Sequence, residues 1–178
     1  MNILENYYKK IIRYDLINKF FYNHVHDIPK LKKIILNFGC KSYEIKSIVA
    51  SFFALELITM KQVILTKSKR VNIVLKIRKG YPVGCMVILT KFEMYTFFLK
   101  LLIEIFPNFK SLHVSMKKEI KSFSFILVDL IYFKELEKQF YLFTGLPPLN
   151  IVLITNIKTY KELTYLLSSF KIPFLLKF

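Results

Sequence analysis

The apolar positions of this chain follow two periods that alternate along its length. Residues 2–20 place Ile3, Leu4, Tyr7, Tyr8, Ile11, Ile12, Leu16, Ile17 and Phe20 at helical spacing, and Asn2 with Glu5 resembles a capping box. After the break at Pro29, Leu31–Gly39 (LKKIILNFG) reads as a short strand stopped by glycine. Glu44–Met60 returns to a helical pattern with a strongly apolar face. Val63–Thr66, Ile73–Arg78 and Val83–Thr90 are strand candidates, the last two joined by Lys79-Gly80-Tyr81-Pro82. Phe92–Phe106 predicts an amphipathic helix ended by Pro107, and the polar, basic Lys110–Lys121 predicts a loop. Phe123–Phe133 and Ile151–Thr155 are further strands around a Gly145–Pro148 turn, and Thr159–Phe170 closes as a helix with Thr159 and Glu162 at capping-box spacing. Strands and helices intermingle without βαβ regularity, so the pattern predicts a mixed α+β fold rather than a doubly wound sheet. Neither an internal repeat nor a dividing linker is visible, and 178 residues suit one domain with a buried core.

Charge changes the picture most. The chain has 28 Lys and Arg against 12 Asp and Glu, a formal net charge of +16. Self-repulsion of that size is usually compensated by a polyanion, either nucleic acid or an anionic membrane surface. The mean hydropathy of +0.39 raises the membrane question directly. The longest charge-free run, Gln139–Ile157, has nineteen residues and is broken by Gly145, Pro147, Pro148 and Asn150, so no membrane span is expected. The N-terminal MNILENYYKKII has neither a signal core nor the pattern of a transit peptide. Abundant Ile, Phe, Tyr, Asn and Lys beside two Ala and four Gly match AT-rich codons, which accounts for the hydropathy without a membrane.

Candidate chemistry is sparse. His24, His26 and Asp27 share a turn before a proline and lack a third partner, so a surface turn is expected rather than a metal site. Cys40 and Cys85 lie far apart with no CxxC, which argues against zinc or a disulfide and for a reducing compartment. No nucleophile elbow, zinc-protease motif, P-loop or dinucleotide fingerprint occurs. The reading is therefore of a protein that is not an enzyme, with no catalytic residue, metal or cofactor.

One stretch stands apart. Between Glu56 and Glu93 there are eight basic residues and no acid, six of them within TKSKRVNIVLKIRKGYPVG (Thr66–Gly84). Read as a strand, Ile73–Arg78 would put Lys76 and Arg78 on one face and Leu75 and Ile77 on the other. Lys67, Lys69, Arg70 and Lys79 would reach phosphates, with Thr66 and Ser68 donating hydrogen bonds. An ordinary solvated strand would mix Glu with Lys, so the pattern favours RNA or DNA. The alternative is a basic peripheral membrane or membrane-insertion factor using the apolar helices 2–20 and 92–106.

The motifs NYYKK, FFYN, IPKLKKIILNFG, LTKSKR, LKIRKGYPVGCMVIL, MYTFFLKLL and FKIPF occur in the order of the bacterial-type large-subunit ribosomal protein L-five family. The chain resembles that family from Leu4 to Phe174. The resemblance implies an antiparallel sheet with helices packed on one face and a projecting basic loop, here residues 110–122. It implies binding of 5S rRNA or large-subunit rRNA in the central protuberance, beside other ribosomal proteins there. Carried over by position, it implies RNA contacts for Asn37, Thr66, Lys67, Lys69, Arg70, Lys76, Arg78 and Tyr81, beside which Ser68 and Lys79 are candidates from their own chemistry. It further implies that Lys110, His113, Lys117, Lys118 and Lys121 face P-site tRNA and the small-subunit head. The chain departs from the family pattern at Met60, Ile88 and Pro147-Pro148, and its 110–122 segment has no glycine. Such drift with AT-rich composition fits a mitochondrially encoded copy in the matrix, with plastid or bacterial cytoplasm as the alternatives.

Overall fold

A computed structural model describes residues 2–40, 45–108, 117–119, 121–130 and 132–172. The chain forms an α+β fold built on a six-stranded sheet in the order β2-β3-β1-β6-β5-β4. The strands are β1 (Leu31–Gly39), β2 (Ile64–Lys67), β3 (Pro82–Thr90), β4 (Lys117–Glu119), β5 (Ser122–Leu127) and β6 (Leu149–Thr155). Strand β2 pairs antiparallel with β3, and β4 with β5. The helices are α1 (Ile3–Tyr7), α2 (Arg13–Lys19), α3 (Ile45–Thr59), α4 (Lys91–Lys100), α5 (Lys134–Glu137) and α6 (Tyr160–Ser169). Internal packing divides the chain into two compact units: Met1–Ile34 with Leu89–Ser124 and Leu153–Phe178, and Ile35–Ile88 with Phe125–Val152.

In the first unit, α1 and α2 are joined by a π-helical stretch, Tyr8–Ile12. The buried residues Leu4, Tyr8, Ile12 and Leu16 recur every four positions, ahead of the 3.6-residue α period. The wider π turn takes up that surplus and keeps all four on one side. Asn2 caps α1 by accepting from the Leu4 amide at 3.1 Å and donates to Thr96 Oγ1 at 2.9 Å, while Glu5 pairs with Lys9. The expected box at this end is thus only half formed. Phe170 stands against Tyr8 (6.4 Å, stacked) and Phe98 (5.2 Å, edge-on), contacts worth about 0.5–1.5 kcal/mol each. At α6 the capping box is complete, with Thr159 accepting from Glu162 N and Glu162 reaching back to the Thr159 amide.

Asn156 anchors the chain ahead of β1. Its Oδ1 accepts from the Lys30 amide at 2.7 Å, and its Nδ2 donates to the carbonyls of His26 and Ile28, each at 3.1 Å. Lys158 adds an ion pair to Asp27 at 2.9 Å, which holds that carboxyl below the usual carboxylate range. His24 and His26 are exposed beside it in a short 3-10 turn.

In the second unit, β1 and β3 bury alternate residues: Leu36 and Phe38 on one strand, Cys85 and Val87 on the other. Helix α3 covers this side, since Ser51 Oγ lies 3.5 Å from Cys40 Sγ and 3.9 Å from Cys85 Sγ. Gly84 is dictated by close approach. A Cβ there would lie 2.2 Å from the Phe38 carbonyl oxygen and 3.1 Å from Thr66 Oγ1.

Three expectations are corrected. Ile73–Arg78 is not a strand: Asn72 and Ile77 form an isolated bridge around a turn, and Lys76 has φ of +53°. Lys76 and Arg78 therefore do not share a strand face. The strand expected to run to Phe133 ends at Leu127, where Asp129 follows in irregular chain. Of the projecting loop expected at residues 110–122, Lys117–Glu119 is instead strand β4, hairpinned onto β5, and Ser122 begins β5. Residues 109–116 and 120, including Lys110 and His113, lie outside the described residues.

Replacing Gly84 by alanine should lower the denaturation free energy by about 1–3 kcal/mol or more, because a backbone oxygen must move. Replacing Gly39, whose Cβ would meet nothing within 4 Å, should change it by no more than about 0.5 kcal/mol. Equal stabilities in urea titrations would contradict the close-approach account.

Candidate nucleic-acid interface

The sequence-predicted cations gather where β2 leaves the edge of the sheet. Ile64 stands opposite Met86, Leu65 opposite Cys85, and Thr66 opposite Gly84, after which the register slips and Lys67 faces Pro82. Paired residues share a face, so Thr66 stands on the side away from Cys85 and the core. Asn37 lies on that same outward side, half-buried between the buried Leu36 and Phe38. Gly84 carries no side chain here, and the Phe38 carbonyl and Thr66 Oγ1 close over the space that a Cβ would take.

Beyond the slip, the β2–β3 connection is held by its own backbone. Ser68 accepts from the Gly80 amide at 2.9 Å and donates to the Tyr81 carbonyl at 2.8 Å. Gly80 has φ of +89°, a conformation that glycine adopts without steric cost. Farther out, Asn72 and Ile77 exchange two backbone hydrogen bonds of 2.9 Å. The buried Ile77 side chain roots this ladder, while Lys67, Lys69, Arg70, Lys76, Arg78, Lys79 and Tyr81 are all exposed. Among the described residues, none of these cations forms an ion pair with an acid. Their charge is uncompensated locally because the chain has no acid between Glu56 and Glu93. The Ser68 hydroxyl donates to the Arg70 carbonyl, so it shapes the connection and keeps only acceptor capacity for a partner.

The structure therefore brings Thr66 and Lys67, at the end of β2, together with Ser68, Lys69, Arg70, Lys76, Arg78, Lys79 and Tyr81 of the connection that follows, with Asn37 on the adjoining sheet face. It does so through a turn rather than the strand that the alternation suggested. Lys121 is exposed beside the β4–β5 hairpin, and Lys117 and Lys118 lie on β4.

A cavity lined by Val128, Asp129, Leu130, Leu136, Phe143 and Thr144 to Leu146, about 240 Å³, contains a single carboxylate and no histidine or cysteine. Burial pushes the Cys85 thiol up, against the opposing effect of the Ser51 hydrogen bond, so this cysteine is a weak nucleophile. Among the described residues no group of three His, Cys, Asp or Glu could hold a metal, and no helix is long and apolar enough to cross a membrane.

The class defined is a basic α+β protein whose most charged surface is an open sheet edge and its connection, not a cavity. No family model matches the chain. It is similar to the large ribosomal subunit protein uL5m of Reclinomonas americana, 39% identical over 97% of this chain and 98% of that protein. It is likewise similar to the uL5 proteins of Nitrosomonas eutropha (35% identical, 96% of this chain and 97% of that protein) and Wigglesworthia glossinidia brevipalpis (34%, 96% and 98%). The chain belongs to the uL5 family of large ribosomal subunit proteins, which are structural and not enzymes.

Asn37 faces away from the core, so Asn37→Ala should leave the thermal midpoint nearly unmoved while weakening association with ribosomal RNA. A lowered midpoint with unchanged binding would make it a fold residue instead.

Proposed function

We propose that the chain is a structural component of the large ribosomal subunit that grips 5S rRNA or large-subunit rRNA through the β2–β3 connection. The carrying observation is the set of exposed Lys and Arg between Lys67 and Lys79, unpaired with any described acid and mounted on a hydrogen-bonded frame. Phosphate contacts from such a frame position a protein on RNA, while Asn37 and Thr66 on the outward face are suited to polar contacts with sugars and bases. We put this activity in the central protuberance, next to other ribosomal proteins, on the strength of the motif resemblance. The mitochondrial suffix in the name of the Reclinomonas relative, with the AT-rich composition, supports a mitochondrial ribosome in the matrix and an organelle-encoded gene.

The basic segment from Lys110 to Lys121 is proposed to meet P-site tRNA and the small-subunit head. Support comes from Lys110, Lys117, Lys118 and Lys121 standing against one acid, Glu119, and from the β4–β5 hairpin at its end. Changing these four lysines to Gln should weaken subunit joining or tRNA retention and leave rRNA binding intact. Loss of assembly into the large subunit would refute that division of labour.

The rRNA grip is tested by its salt dependence. Replacing Lys67, Lys69, Arg70, Lys76 and Arg78 with Gln should flatten log K against log salt by about 3.5–4.5, at about 0.7–0.9 per phosphate contact. An unchanged slope would mean that these cations only solubilise the fold.

A further inference from the structure

The outermost part of the β2–β3 connection is apolar. Ile73 and Val74 are 87% and 90% exposed, and Val71 beside them is 63% exposed. Turns of this kind favour Gly, Asn, Asp or Ser, whose side chains or backbone freedom suit the bend. Here two β-branched residues occupy the apex, where water is a poor solvent for them. The bend is nevertheless well fixed: Asn72 Oδ1 accepts from the Leu75 amide at 3.3 Å, and the Lys76 amide donates to the Ile73 carbonyl at 3.1 Å. Side chains branched at Cβ hold few rotamers, so little freedom remains to be lost on contact.

Charge complementarity identifies what such an apex fits. Lys69 and Arg70 precede it and Lys76, Arg78 and Lys79 follow it, with no acid nearby in sequence. RNA combines a phosphate rim with apolar base faces, and those faces are open only where a base is unpaired or a step is unstacked. A regular duplex hides them. A protein partner would need an apolar pocket with an acidic rim, a narrower requirement than RNA meets everywhere along its backbone.

We infer that Ile73 and Val74 form an apolar wedge that enters an unstacked step or bulge of the bound RNA while the flanking cations grip the phosphates on either side. Apolar wedges between base steps are an established way for proteins to read deformability, and they confer selectivity for sites that are already unstacked. The inference rests on the RNA reading above and adds to it a preference that phosphate contacts alone cannot give.

The test uses two synthetic RNA hairpins, one with a two-nucleotide bulge flanked by 2-aminopurine and one fully paired, with the full-length chain. The wild type should bind the bulged hairpin about tenfold more tightly, the scale of one stacking contact, and raise its 2-aminopurine fluorescence. The double variant Ile73→Asn, Val74→Gly keeps turn-compatible residues. It should bind the paired hairpin like the wild type, with the same salt slope, and lose both the preference and the fluorescence change. The double variant Ile73→Val, Val74→Ile, which keeps an apolar apex, should retain both, and thermal midpoints of the two variants would show that each is folded. Retained preference in the Asn-Gly variant, or no preference in the wild type, would overturn the wedge and point to a protein as the partner of the apex. Salt-independent binding to both hairpins would instead overturn the RNA reading itself.

Discussion

The arrangement of the second unit turns on the approach of the Phe38 carbonyl to Gly84. Only a residue without Cβ lets β1, β3 and β2 run as close neighbours here, because any side chain would meet the β1 backbone at 2.2 Å. That closeness sets Thr66 opposite Gly84 and leaves Asn37 on the same outward side. One residue later the register slips, and such a bulge increases local twist and redirects the strand that carries it. The cationic connection begins at that slip. A packing constraint in the backbone thus decides where the charge is displayed.

The charge itself works against the fold and for the edge. Six cations on one short connection repel one another, a cost that a polyanion would remove on binding. They also stand beside the edge strand β2, whose unpaired backbone groups would otherwise invite pairing with another chain. The apolar apex adds a second exposed liability, with Ile73 and Val74 almost fully in water. Both features cost the free protein stability or solubility, and both become favourable against a partner that combines phosphates with base faces.

Much of this was legible from spacing. Strand β1 runs from Leu31 to Gly39 as its alternation and terminal glycine indicate, and the Thr159–Glu162 box opens α6. Local hydrogen-bonding chemistry and a strong period specify such elements without help from distant residues. Ile73–Arg78 misled because Val, Ile and Leu carry high β propensity, whereas the bend depends on the Asn72 side chain and a left-handed lysine. The overshoot to Phe133 has the same origin, an apolar run whose strand stops when its neighbours stop pairing. Contacts fixed by strand adjacency left no local trace. Ser51 lies between Cys40 and Cys85, and Asn156 holds Lys30 across more than a hundred residues of sequence. The candidate residues stand out by charge and resemblance, while the frame that carries them needed the fold.

The central claim is that the β2–β3 connection is the surface that holds ribosomal RNA. Ultraviolet crosslinking of isolated ribosomes, followed by sequencing of the attached RNA and mapping of the modified peptides, tests it most directly. The account predicts crosslinks between ribosomal RNA and peptides spanning Lys67 to Tyr81. Crosslinks confined to other parts of the chain, with that segment unmodified, would contradict it.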